Sequence, residues 1–317
     1  MKLDHLKLDP ETLRLIRLEL HAHFTREACE PLRLRLFPGG FMIAAGHCPI
    51  DSMKLAQRRL SRRMHLAVWA DRFRLLFPKR VELPWPRGEA PLHAARVSNG
   101  TLMCWTEDHF IKIPLNAAAA TRVRTSLGIW RRMQGGHLAE FFHPLGHVEV
   151  GERIRLYSPR GTLAATDRDE RKALDEFCAG YFQAALPHRA QHGDLHINNI
   201  IRAKTGRLGI IDLDQYTFDG RPMVDLLSLA THFLAFHENE GYPAALSEVL
   251  SQPDQVRDKL AAAGWVHCAE FWRKNFAKED LRALIENRRT WIQKNSPESQ
   301  FAIQVEEVLR HADETLS

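Results

Sequence analysis

The sequence predicts an α+β protein of two lobes, a small antiparallel-sheet lobe followed by a mostly helical one, with a basic N-terminal extension ahead of both. Short β-rich runs separated by turn signals fill much of residues 91–160, and long 3.6-period segments follow from about residue 167. A third observation is a polar loop at 192–199 set just before a second, shorter pair of β-rich runs. The chain therefore divides into 1–90, the extension packed on the first lobe; 91–160, the sheet lobe; and 161–317, the helical lobe. Its 317 residues suffice for two lobes and a sizeable core, and 44% apolar with 26% charged residues is ordinary for a globular chain.

Residues 1–90 hold 17 Lys+Arg against 10 Asp+Glu, a net +7, while the remaining residues sum to −2. The asymmetry is sharpest over 51–80. There Lys54, Arg58, Arg59, Arg62, Arg63, Arg72, Arg74, Lys79 and Arg80 accompany an apolar series of Leu55, Leu60, Met64, Val68, Phe73 and Leu76. A basic amphipathic helix can lie on anionic lipid, grip phosphate groups or be a solvated face packed on the lobe, and all three readings stand.

In the sheet lobe, His93–Val97, the turn Ser98-Asn99-Gly100 and Thr101–Trp105 read as strand, tight turn, strand, because Asn-Gly supplies positive φ. A second turn at Glu107-Asp108 leads to His109–Ile113, an apolar strand with Lys112 inside it. A lysine there is costly unless it is paired or snorkels to water, and an outward-facing strand lysine is the alternative. Ala117–Met133 reads as a helix, Phe142–Val150 and Arg153–Tyr157 as strands, and Ser158–Gly161 as the hinge between lobes. Helical patterns then occupy 169–185, ending before Pro187, and 225–235, 242–250, 253–263, 268–275, 278–294 and 297–312.

The chemistry concentrates in His192-Gly193-Asp194-Leu195-His196-Ile197-Asn198-Asn199 and in the strand that ends at Ile210-Ile211-Asp212-Leu213-Asp214. Two short β-rich runs, 200–202 and 208–211, flank the turn Lys204–Arg207 and deliver Asp212 beside the loop. A carboxylate at a strand end next to a carboxamide makes a hard-oxygen pair suited to Mg²⁺.

The loop fits the His-x-Asp-Leu-x-x-x-Asn pattern of a kinase catalytic loop. With Ile211-Asp212-Leu213-Asp214 and Arg221-Pro222-Met223-Val224-Asp225-Leu226-Leu227, it resembles the aminoglycoside phosphotransferase and choline kinase branch of the protein-kinase-like fold. The dense part of the resemblance covers about 188–230, and a looser part reaches back to about 91. It implies that Asp194 orients an acceptor hydroxyl, that Asn199 and Asp212 hold Mg²⁺, and that His192 and Asp225 brace the loop. It also implies that Lys112 meets the phosphates of ATP, with Ser98, Asn99 and Gly100 standing for the glycine-rich loop. Adenine would lie near Leu156 to Ser158. One departure is clear: no acidic residue occurs between Lys112 and Glu140, so the lysine lacks its usual glutamate. Glu140, a carboxylate from elsewhere, or Asp212 acting through metal and phosphates are the three substitutes.

The five cysteines are scattered and never at C-x-x-C spacing, which reads as buried small hydrophobes. His188, His192 and His196 recur at i, i+4 spacing, but no carboxylate stands at zincin spacing between the pair, which argues against zinc. No run approaches the ~18 apolar residues of a membrane span, and the start shows no secretory pattern. The expected location is the cytoplasm, with peripheral contact at the inner membrane face.

The resemblance implies an ATP- and Mg²⁺-dependent phosphotransferase acting on a hydroxyl of a small molecule or sugar, and no nucleic-acid partner is expected. Two alternatives accompany it. Ile-Asp-Leu-Asp is similar to the Ile-Asp-Phe-Asp of some lipopolysaccharide core kinases that act on Kdo or heptose, and the basic extension suits an anionic glycolipid or membrane surface. The missing glutamate suits a pseudokinase that serves as a nucleotide- or partner-binding scaffold. A protein kinase fits poorly, since there is no Ala-Pro-Glu segment and little room for an activation loop between Asp214 and Asp225.

Overall fold

The computed structural model describes residues 32–37, 40–45, 94–98, 100–105, 109–150, 153–163, 168–237, 241–295 and 300–316. The basic segment 51–80, Asn99, Cys29 and Cys48 lie outside the described residues. The chain is α+β and divides into two compact units, one of residues 1–130 and 144–161, the other of 131–143 and 162–317. This is the bilobal arrangement of a protein-kinase-like fold.

The first unit holds a seven-stranded sheet with every neighbouring pair antiparallel. Its strands are β1 (Leu32–Phe37), β2 (Gly40–Ala45), β3 (Ala94–Ser98), β4 (Thr101–Trp105), β5 (His109–Pro114), β6 (Gly146–Val150) and β7 (Arg153–Pro159), in the order β1-β2-β3-β4-β5-β7-β6. Sequence patterning anticipates β3 to β7 but not β1 and β2, which extend the sheet from within the N-terminal 90 residues. The segment read as a hinge begins later than expected: Phe110 pairs with Ser158 and His109 with Pro159, so β7 runs on through both. A proline is tolerated there because a terminal strand position need not donate an N–H.

Helix α1 (Ala117–Met133) follows β5. Asn116 caps it, its Oδ1 accepting the Ala119 N–H at 2.9 Å, which satisfies one of the donors every helix start leaves open. Val123 and Leu127 of α1 pack with Leu156 of β7 in a small buried cluster.

The second unit is mainly helical: α2 (Arg168–Ala185), α3 (Pro222–His237), α4 (Tyr242–Ser251), α5 (Pro253–Ala262), α6 (Val266–Asn275), α7 (Lys278–Asn295) and α8 (Gln300–Leu316). A small sheet of order β10-β9-β8 joins them, made of β8 (Gly161–Leu163), β9 (Ile200–Ala203) and β10 (Leu208–Ile210). Helix α3 is apolar almost all round, and residues 222–231 are buried without a break, as expected of a helix through a core. Three of its buried polar residues have their partners: Thr231 donates to its own helix at Leu227, Asp225 holds the loop described below, and Ser228 accepts from Arg288. The three cysteines among the described residues, Cys104, Cys178 and Cys268, are buried, as expected of small hydrophobes, and burial pushes the thiols of Cys178 and Cys268 up. No described helix is long and apolar enough to cross a membrane.

Candidate functional site

Loop 192–199 hangs between α2 and β9, and its shape is imposed from below. Asp225, fully buried at the start of α3, accepts the His192 N–H at 2.6 Å, the Gly193 N–H at 2.8 Å and the Tyr181 hydroxyl at 3.2 Å. Two backbone donors and a phenol converge on one carboxylate, so the first turn of the loop cannot open without leaving buried donors unmet. Burial pushes the Asp225 carboxyl up to about 6, outweighing the lowering influence of His192 and of these hydrogen bonds. His192 is likewise buried: its Nε2 meets the Ile211 carbonyl at 2.9 Å, and its Nδ1 accepts a long bond of 3.4 Å from the Asp194 N–H. The imidazole thereby links loop 192–199 to the residue before Asp212, and both ring nitrogens are engaged within the protein, which leaves neither for a metal.

Two further contacts gather the other predicted residues. The Asn199 side chain donates through Nδ2 to the Asp194 carbonyl at 2.8 Å, and the Asn199 carbonyl accepts the Ile211 N–H at 2.9 Å. With its NH₂ committed, Asn199 offers the carboxamide oxygen as its ligating atom. Asp212 is held at φ 70°, a left-handed conformation that non-glycine residues seldom adopt and that aspartate tolerates better than most. The donor set is thus a carboxylate and a carboxamide oxygen on adjoining backbone, which fits a hard cation such as Mg²⁺. Asp194, Asn199, Asp212, His192 and Asp225 all stand in the second unit.

Lys112, Ser98 and Gly100 stand in the first unit. Lys112 lies on β5, paired with Met103 of β4 and Leu156 of β7, and is partly buried. Ser98 pairs with Thr101 across the β3–β4 turn, where Gly100 has φ 70° and its carbonyl accepts the Leu115 N–H at 2.8 Å. A Cβ on Gly100 would collide with the Asn116 side chain, so this glycine is fixed by packing as well as by its turn. Glu140, one substitute for the missing glutamate, is exposed and paired with His137 Nδ1 at 2.8 Å within the second unit.

The second unit also holds a cavity of about 160 Å³, which the sequence did not reveal. One side is polar, with Asp194, His196, His232, Tyr242 and Arg288, and the other is Trp291, Ile292, Phe301 and Val305. Arg288, 3% exposed, donates to Asp194 Oδ1 at 3.3 Å and to the Gly193 carbonyl at 3.1 Å. His196 and His232 lie with ring centroids 4.5 Å apart, and burial lowers the pKa of both, so both imidazoles are neutral near pH 7. Single ligand atoms of Asp194, His196 and His232 fall within 4.8 Å of one another. The guanidinium already beside Asp194 opposes a second cation there, so the trio suits hydroxyl recognition better than a divalent ion. Sequence spacing could not find Arg288, Tyr242 or His232, because they arrive on three separate helices.

Residues 149–263 match the phosphotransferase enzyme family (APH). That stretch contains loop 192–199, Asp212 and Asp225. A comparison with curated proteins finds no match to the chain.

Proposed function

We propose that the protein is a kinase that moves the γ-phosphoryl group of ATP to a hydroxyl of a small molecule or sugar. The observation that supports this most is that Asn199 bonds the Asp194 carbonyl through its side chain and the Ile211 N–H, next to Asp212, through its own carbonyl, all around one braced loop inside the segment that matches the phosphotransferase family. Asn199 and Asp212 would hold Mg²⁺, which supplies charge neutralisation at the phosphate oxygens. Asp194 accepts or orients the proton of the acceptor hydroxyl as it attacks in line, and Lys112 meets the nucleotide phosphates. Positioning and electrostatic complementarity account for the acceleration, with no covalent intermediate on the protein.

The cavity beside Asp194 narrows the acceptor. At about 160 Å³ it matches the size that admits one six-membered ring. Its carboxylate is already paired with Arg288, so it offers an ammonium group no uncommitted anion. The apolar wall of Trp291 and Phe301 opposite hydroxyl-binding groups favours a compact neutral ring, such as a sugar, over a polycation. A glycolipid sugar remains the second reading, favoured by the net +7 of residues 1–90, which would gather the chain at an anionic surface from the cytoplasmic side.

Thermal melting with ATP or GTP, each with and without Mg²⁺, tests the site before any acceptor is known. The parent should gain stability from nucleotide in a Mg²⁺-dependent manner, and Asp212→Ala should lose that dependence. No shift with any nucleotide would sink the kinase reading in favour of a scaffold. A positive result leads to an acceptor screen with neutral sugars beside polyamines, and to co-sedimentation with anionic vesicles for the glycolipid reading.

A further inference from the structure

A carboxylate on a two-torsion side chain samples several rotamers unless a partner fixes it. Asp194 has such a partner in Arg288, which comes from the middle of α7, 94 residues away. Nη1 of Arg288 lies 3.3 Å from Asp194 Oδ1 and 3.3 Å from Tyr242 Oη, while Nη2 donates to the Gly193 carbonyl at 3.1 Å and to Ser228 Oγ at 2.9 Å. One planar cation thus ties the loop backbone and the loop carboxylate to α3 and α4. The other oxygen of Asp194, Oδ2, is 4.0 Å from Nε2 of His196, a neighbour in the cavity wall.

Stability alone does not ask for this residue. A buried ion pair returns little or nothing over well-packed apolar side chains of similar volume, because desolvating two charges offsets their attraction. What an apolar residue cannot do is distinguish the two oxygens of Asp194. Lysine is no equivalent either, since a point charge on a flexible stem cannot reach four partners in one plane.

We propose that Arg288 is a positioning residue for phosphoryl transfer: it holds Asp194 by Oδ1 and leaves Oδ2 to meet the acceptor hydroxyl. This rests on the kinase reading of Asp194, and its test uses water as the acceptor so that no substrate need be known. Mg-ATP hydrolysis is compared for the parent, Arg288→Lys, Arg288→Ala and Asp194→Ala, with Mg-ATP affinity measured alongside. Arg288→Lys should keep the parent affinity and KM for Mg-ATP while turnover falls about tenfold or more, the scale expected when a reacting group is displaced by a fraction of an ångström. Arg288→Ala should be slower still and recover in part with added methylguanidinium, whereas Asp194→Ala should not recover. Parent-like turnover in Arg288→Lys, or a loss in Arg288→Ala that methylguanidinium leaves untouched, overturns the proposal.

A parent chain that binds no Mg-ATP strikes the kinase reading instead, and that failure is seen before any variant is made. Hydrogen exchange of 192–199 in the nucleotide-free protein then still reads Arg288. Exchange should quicken in Arg288→Lys and Arg288→Ala and slow again in Arg288→Ala with methylguanidinium, and unchanged exchange in both variants overturns the positioning role.

Discussion

Gly193 stands between the bracing histidine and Asp194, and its φ of 85° lies where a side chain is strained. Space forbids one too: a Cβ there would lie 2.6 Å from the Gln215 carbonyl oxygen and 3.0 Å from the Gln215 Cβ, and backbone cannot swing aside as a flexible side chain can. Gly193→Ala should therefore destabilise the protein by about 2–4 kcal/mol, combining left-handed strain with overpacking. Urea unfolding measures this, and a loss under about 0.5 kcal/mol, the range of a neutral surface change, would contradict the geometry. Where protein kinases usually carry arginine at this point of the pattern, this chain has a turn that excludes it. The residues around Gly193 were legible in the sequence because loop and strand end lie within 23 residues, so order and spacing preserve their relation. Arg288 and His232 were not, since nothing in a helical arginine or histidine announces which distant loop it will meet.

At the scale of elements, periodicity located the helices well and failed mainly at ends whose signals are not local. Helix α6 shows why. The sequence suggests a start at Cys268, because Trp265 and Val266 offer no side-chain oxygen to cap a helix. The structure starts it at Val266 and supplies the cap from another helix: Asp175 of α2 accepts the Cys268 N–H through Oδ1 and the His267 N–H through Oδ2, each at 2.8 Å. Asp175 is 1% exposed and also meets His267 Nδ1 at 2.8 Å, so one carboxylate fastens two helices and satisfies the donors at the positive end of α6. Asp175→Ala should cost about 2–3 kcal/mol, a lost cap plus buried donors left without partners. Chemical denaturation should show that loss with the far-ultraviolet circular dichroism of the folded state retained. A change within about 0.5 kcal/mol of the parent would mean that water replaces the carboxylate without penalty. By the same logic β1 and β2 escaped notice, because they are short strands defined by their pairing, β1 with β2 and β2 with β3.

For the molecule as a whole, buried ionisable groups set opposing slopes of stability with pH. Burial lowers the pKa of His143, His196 and His232 below the ordinary 6.5. As pH falls through 6.5 the unfolded chain takes up these protons first, so their contribution is intact above 6.5 and is lost toward acid. Asp225 acts the other way. Its carboxyl, raised from 3.8 to about 6, keeps a proton in the folded chain that the unfolded chain has released, so between those values it makes stability fall as pH rises. Among the described residues three such histidines oppose one such aspartate as pH falls from 7, each proton of difference contributing up to about 1.4 kcal/mol per pH unit. The protein should therefore be less stable at pH 5 than at pH 7, and His232→Gln should shrink the difference by removing one of the three groups. Denaturant midpoints at the two pH values decide it: a parent equally stable at both, or a His232→Gln variant with an undiminished acid loss, would show that these imidazoles do not titrate as their burial requires. The same protonation of His196 and His232 would bring positive charge to the cavity beside Arg288, and that repulsion adds to the loss of folded-state stability in acid.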